Sequence, residues 1–395
     1  GGSTAKRKLF QKNPYAKKER ADYKRFFSIV NKHLVFYSEN KGFYKYYQGI
    51  IEYILKNTNI VIHYITSDPE DTIFELAEKN DQIKAYYIGE KKLITLMMKL
   101  DADVVVMTMP DLENYHIKRS YIRKDVEYVY IPHCMDSLNM TMRKGSMDHF
   151  DAVLCTGKHH KEEIEKTEEV YGLPKKTIVE WGYSLLDSMI EDYKKMEKKP
   201  SDKKSILIAP SWQKDNIVDN CLDALLDNLK GHGYKVTVRP HPQHVRHMPE
   251  KMQMLKEEFA EDDNIEIQTD FSSNDTVFNA DLIITDWSGI AYEYAFTTLK
   301  PVLYINTPMK IMNPEYEKIG VVPINIFMRD SIGCSLNLDE LDRVAEEATR
   351  LINEKELYHD KIDAFVKKYV YHLGTSAKVG ANYIKLRLKQ IHSEE

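Results

Sequence analysis

At 395 residues the chain is too long for one ordinary core, and two domains are expected. Hydrophobic residues make up 43% and charged residues 30%, which excludes a disordered or membrane-embedded chain. A net charge of −5 at pH 7 excludes a molecule built as a whole to hold nucleic acid.

The N-terminal stretch departs from that average. Lys6, Arg7, Lys8, Lys12, Lys17, Lys18, Arg20, Lys24 and Arg25 are set against only Glu19 and Asp22. This basic segment, residues 1–30, suits either a solvated leader or contact with an anionic membrane surface. Short apolar runs then alternate with helical patterns. Strands are expected at 33–37, 60–65, 83–88, 104–108, 128–131 and 152–156, with helices between several of them, for example at 43–56 and 72–79. Such alternation builds βαβ units around a parallel sheet, here an N-terminal Rossmann-like domain over 31–200. The polar run 194–204, with Pro200 in it, reads as the linker.

A second α/β pattern follows. It has strands at 206–209, 235–238, 265–268, 282–284 and 302–305, and helices at 218–230, 290–297 and 338–353. This is a C-terminal Rossmann-like domain over 201–370, and 371–395 reads as a terminal helix. The expected fold class is α/β and GT-B-like, two Rossmann-like domains whose parallel sheets face a cleft. Cys134, Cys155, Cys221 and Cys334 form no C-x-x-C pair, so neither a disulfide framework nor a zinc site is expected, and the chain fits a reducing compartment. No apolar run approaches the ~18 residues of a membrane span, and no signal-peptide pattern is seen. Any membrane contact is expected to be peripheral.

Four predicted strands stop at polar clusters, and open α/β sheets bind ligands just beyond the carboxyl ends of their strands. Asp286-Trp287-Ser288-Gly289 follows an apolar strand and opens a helix, where free backbone N–H groups favour phosphate. The plainer reading is an ordinary helix cap. Arg239-Pro240-His241-Pro242 pairs a guanidinium fork with a histidine on a stiff loop, suited to gripping a diphosphate and assisting a leaving phosphate. His133 ends another strand and can deprotonate an acceptor hydroxyl, with Asp136 as a possible orienting partner. Ser211 and Trp212 end a fourth strand; Trp212 can stack on a base or simply pack.

Two metal-like patterns are set aside. His241, His244 and His247 read more simply as an anion-facing or solvated segment than as a metal site. Asp101-Ala102-Asp103 precedes its strand, at the wrong end of a parallel sheet for a ligand, and reads as solvated. No G-x-G-x-x-G, P-loop, G-x-S-x-G or H-E-x-x-H occurs. A nucleotide-sugar glycosyltransferase and a non-catalytic nucleotide-binding assembly partner stay open on the residues alone.

The two second-domain motifs, running on into Ala291-Tyr292-Glu293-Tyr294, resemble those of the CDP-glycerol glycerophosphotransferase family of teichoic acid and capsule enzymes. The resemblance spans about residues 128–313. It implies a GT-B fold, a CDP-activated polyol phosphate as donor, most simply CDP-glycerol, and CMP as leaving group. It also implies a glycan or lipid-linked acceptor, and a cytoplasmic location with peripheral attachment to the inner membrane face. No obligatory cofactor is implied, although a divalent metal is compatible. The family's Arg-x-His-Pro is matched fully by Arg239 and His241, which carry over as contacts to the donor diphosphate. Its Asp-Tyr-Ser-Ser is matched by Asp286 and Ser288, with Trp287 in place of Tyr and Gly289 in place of the second Ser. Its His-Gly-Thr-Pro survives only as His133, followed by Cys134-Met135-Asp136. The resemblance thus implies His133 and His241 as catalytic, with Ser211, Arg239, Asp286, Trp287, Ser288 and Gly289 around the donor.

Overall fold

Strands buried on both faces read as continuous apolar runs, and that is how these sheets are made. The computed structural model describes residues 13–393. The first sheet contains β1 (Leu34–Ser38), β2 (Ile62–Thr66), β3 (Ile83–Tyr87), β4 (Val104–Met107), β5 (Glu127–Tyr130), β6 (Ala152–Cys155) and β7 (Thr177–Glu180). Its order is β3-β2-β1-β4-β5-β6-β7, and every pairing is parallel. The second contains β8 (Ser205–Ala209), β9 (Lys235–Val238), β10 (Ile265–Ile267), β11 (Leu282–Thr285), β12 (Val302–Asn306) and β13 (Gly333–Asn337). Its order is β10-β9-β8-β11-β12-β13, again all parallel. Both orders reverse direction beside their first strand. That reversal opens a crevice at the carboxyl ends of β1 and β4 in one sheet, and of β8 and β11 in the other.

Several elements differ from expectation. The edge strands β7 and β13 carry little apolar signal, and their sequences Thr-Ile-Val-Glu and Gly-Cys-Ser-Leu-Asn are partly exposed. Gly333 is required there, because a Cβ would lie 1.6 Å from the Val302 carbonyl oxygen. The expected helix at 218–230 is two helices, Ile217–Asn220 and Leu222–Leu229, broken at Cys221 with φ −152°. The 338–353 helix starts as a 3₁₀ segment, Leu338–Arg343, before Val344–Asn353.

The basic segment is partly structural. Lys6, Arg7, Lys8 and Lys12 lie outside the described residues. From Ala16 to Phe27 the chain is a helix docked beside β3. Phe26 is fully buried against Tyr86, with ring centroids 5.1 Å apart. The two acidic residues of the segment do the docking: Glu19 accepts from the Gly89 amide (2.6 Å) and Asp22 from the Tyr87 amide (2.8 Å). Lys17, Arg20 and Lys24 stay exposed.

The last described helix lies on the first domain. After the Lys355–Tyr369 helix the chain crosses back, and Ser376–Ser393 packs on the Tyr44–Asn57 helix. Asp187 fastens this return, accepting from the Gly374 amide (2.7 Å), the Ser376 amide (3.1 Å) and the Ser376 hydroxyl (2.5 Å). Removing such a cap costs about 0.5–2 kcal/mol. Asp187→Ala is therefore expected to lower the midpoint of thermal unfolding by a few degrees; an unchanged midpoint would show that the return crossing is held by other contacts.

Candidate active site

The second-domain wall is built around one buried carboxylate. Asp286 is 0% exposed at the end of β11. It accepts from the Ser211 amide (2.9 Å) after β8, the Ile217 amide (3.1 Å) and the Trp287 amide (2.7 Å). A buried carboxylate needs such donors to remain ionised. Arg329 closes the cluster from the other side. It donates to the Asp286 carbonyl (2.9 Å) and to Asn306 (2.8 Å), and its guanidinium is sandwiched 3.9 Å from the Trp287 ring and 4.1 Å from Tyr304. Burial lowers the pKa of Arg329 to about 10, so it keeps its charge at neutral pH.

Three residues expected around the donor are turned into the scaffold. Asp286 turns inward and organises backbone. Trp287 donates its Nε1–H to the Thr307 carbonyl (2.7 Å) and stacks on Arg329. Ser211 is 7% exposed and serves through its amide. None of the three lines the cleft cavity. Trp212 packs against His244 and His247 and does not face the cavity.

The remaining expected groups converge. A cavity of about 590 Å³ lies between the two sheets, and Arg239, His241, Ser288 and Gly289 line it with His133. His241 caps the helix Pro242–His247, its Nδ1 accepting from the Gln243 amide at 3.1 Å. With Nδ1 an acceptor, the neutral ring carries its proton on Nε2. Burial lowers the pKa of His241, partly offset by the charge of Asp286, so the neutral form prevails at pH 7. His244, fully buried, accepts the His241 amide proton on Nδ1 at 3.2 Å. Arg239 is held by the Ser273 carbonyl (3.1 Å) and lies 5.1 Å from the Phe271 ring. Ser288 and Gly289 line the cavity just before the Ile290–Thr298 helix, and Ser288 Oγ accepts from the Ile290 amide at 3.3 Å, which leaves its O–H free to donate.

His133 faces them from the first domain. Thr108, at the carboxyl end of β4, holds it, with Oγ1 3.0 Å from Nδ1. Burial lowers its pKa and the Thr108 backbone opposes that shift. Asp136 is not its orienting partner. That carboxyl is pushed up to about 6 by burial and bonds with Cys134 and Asn325. The loop carrying His133 is fixed from below by the Lys158–Tyr171 helix. His159 Nε2 lies 2.6 Å from the Met135 carbonyl, His160 Nε2 lies 2.8 Å from that of Asp136, and Glu163 accepts from the Ser137 hydroxyl at 2.6 Å.

Several lining residues were given no role by the sequence reading, among them Lys45, Tyr46 and Glu293. Lys45 and Tyr46, at the start of the Tyr44–Asn57 helix, reach the cavity from the first domain. Glu293, in the first turn of the helix after Gly289, also lines it, and burial raises its pKa against the pull of Lys45 and Arg239.

Over residues 21–377 the chain matches the family described as CDP-glycerol:poly(glycerophosphate) glycerophosphotransferase. The chain belongs to that family. It is 24% identical over 278 residues to the teichoic acid glycerol-phosphate primase of Bacillus subtilis (strain 168), covering 62% of this chain and 67% of the primase. It is 25% identical over 181 residues to the minor teichoic acid biosynthesis protein GgaB of the same organism, covering 38% of this chain and only 18% of that protein. Among solved structures, the wall teichoic acid polymerase TagF with CDPG superposes with a TM-score of 0.58 at 16% identity, covering 96% of both chains. The UDP-GlcNAc 2-epimerase of Methanocaldococcus jannaschii, bound to UDP-GlcNAc and UDP, superposes with a TM-score of 0.59 at 14% identity, covering 90% of this chain and 99% of that one. These likenesses establish the GT-B-like fold of two parallel sheets.

Two of the positions that depart from the motifs, Cys134 and Gly289, face each other across the cleft. A Cβ on Gly289 would stand 3.2 Å from Cys134 Sγ. Cys134 replaces the motif glycine on one wall and Gly289 replaces a serine on the other. Gly289→Ala is expected to weaken CMP binding several-fold and Cys134→Ala to restore it in the double variant. Strictly additive effects would show that the pair is uncoupled.

Proposed function

We propose that the protein transfers glycerol phosphate from CDP-glycerol to a hydroxyl of a cell-wall glycan or lipid-linked acceptor and releases CMP. The observation that carries this reading is the convergence of His133 from one domain with Arg239, His241 and a helix start from the other on a single cavity. In this reading Nε2 of His133 takes the proton of the acceptor hydroxyl, whose oxygen attacks the distal phosphorus. The bond from that phosphorus to the bridging oxygen breaks, and the electron pair leaves with CMP. His241 donates its Nε2–H to the leaving phosphate, and Arg239 spreads the charge of the diphosphate. The Ser288 hydroxyl donates to a phosphate oxygen, and the positive end of the helix dipole lies beside it. CMP is a stable anion, so positioning and charge neutralisation are the main demands.

The same reading places the protein at the cytoplasmic face of the membrane, with Lys17, Arg20 and Lys24 toward anionic lipid. Among the described residues no helix is long and apolar enough to cross a membrane. Sedimentation with phosphatidylglycerol vesicles is expected and should fade as salt rises. Equal binding to neutral vesicles would contradict it.

His241→Ala is expected to lower CMP release from CDP-glycerol by about 10²–10³-fold with the fold intact, the usual cost of losing one such donor. Release at near wild-type rate would remove His241 from the chemistry. The pH dependence follows from His133. Its pKa is lowered, so the base is already neutral at pH 7, and the rate should be flat there and fall only on acidification, with a midpoint below the ordinary 6.5. A midpoint above 7 would contradict a buried neutral base.

A further inference from the structure

A second group of histidines and carboxylates lies at the opposite end of the first sheet. The register of β1 with β4 pairs Leu34 with Val104, which brings His33 and Asp103, the residues just before them, side by side. The last turn of the Ser376–Ser393 helix delivers His392 to the same point. Asp103 is 0% exposed, which corrects the expectation that the Asp101-Ala102-Asp103 run is solvated. Its position at the amino end of the sheet places it away from the cleft.

Three ligand atoms meet there. Asp103 Oδ2 lies 2.7 Å from His33 Nδ1 and 3.1 Å from His392 Nε2, and the two nitrogens are 3.0 Å apart. As a hydrogen-bonded triangle this arrangement is frustrated. Arg123 donates to the other oxygen of Asp103 at 2.7 Å, so Oδ2 is the oxygen left to face the two imidazoles. If both nitrogens carry protons, two N–H groups face each other. If either lacks one, its lone pair faces the carboxylate. A cation at the centre satisfies all three lone pairs. Donors bound tetrahedrally at zinc-like bond lengths stand ~3.3 Å apart, a few tenths of an ångström wider than these. The local charge agrees: the carboxylates of Asp101, Asp103 and Asp125 surround the guanidinium of Arg123.

We infer that His33, Asp103 and His392 bind a divalent transition-metal ion of the zinc class, with water completing a four-coordinate shell. Two imidazoles and a carboxylate suit that class better than magnesium or calcium, which prefer all-oxygen shells. Arg123 then acts as the outer partner that orients the ligating carboxylate. The ion pins the C-terminal helix to the sheet on which the first domain is built, remote from the transfer chemistry.

The test is a metal titration of the full chain after chelator dialysis. Cobalt(II) is added and read by its visible absorption, and zinc is measured by competition with a chromophoric chelator. One equivalent should bind, and the His33→Ala/His392→Ala double variant should bind at least about tenfold more weakly. Zinc should raise the thermal midpoint of the wild type and leave that of the variant unmoved. His33 and His392 are half-exposed, so the variant is expected to fold, and its unfolding without metal checks this. Absence of saturable cobalt binding would overturn the inference. So would equal binding by the double variant, because the metal would then sit on other histidines.

Discussion

The structure of the site depends on one buried charge. Asp286 sits at the point where the second sheet reverses its strand order and accepts three backbone N–H groups from two different strand ends. An ionised carboxylate without those donors would cost several kcal/mol to bury, so the loops after β8 and β11 are held together by the need to solvate it. Arg329 supplies the opposite charge behind it and is itself wrapped by Trp287 and Tyr304. Ser288 and Gly289 therefore leave the strand in a fixed direction, and the helix after them begins at the wall of the cleft.

The first-domain wall follows the same logic with neutral groups. His133 stands on a loop whose carbonyls and amides are answered by His159, His160 and Glu163 of one helix, all deeply buried. Asn325 of the second domain accepts from the Ser137 amide and from the Tyr292 hydroxyl, so it ties that loop to the helix following Gly289. The two walls are thus linked at the back of the cleft. Reacting groups on either side are placed by hydrogen bonds that never touch a substrate, which is how preorganisation is achieved without flexible contacts.

Much of the fold was legible because buried parallel strands are written as apolar runs. β1 to β6 and β8 to β12 announce themselves in this way. β7 and β13 lie on the sheet edges, where burial is partial and no such run is needed. The site was legible where a residue type is costly to place by chance, as with His133, Arg239 and His241 at strand ends. Direction was not legible: Asp286 and Trp287 belong to a recognisable motif and Ser211 ends a strand, yet their side chains or amides serve the scaffold. Lys45, Tyr46 and Glu293 were missed because a helix start carries no signature of what it faces. Asp103 looked solvated because pairing with Arg123, His33 and His392 is set by register and a distant helix.

The most direct measurement is a product balance with CDP-glycerol and a lipid or glycan acceptor, following nucleotide by chromatography and the acceptor by mass. Equal amounts of CMP and of a new glycerol phosphodiester are predicted. Release of a nucleoside diphosphate from UDP- or GDP-sugars, with a sugar and no added phosphate on the acceptor, would contradict the phosphotransferase reading and assign the cleft to glycosyl transfer.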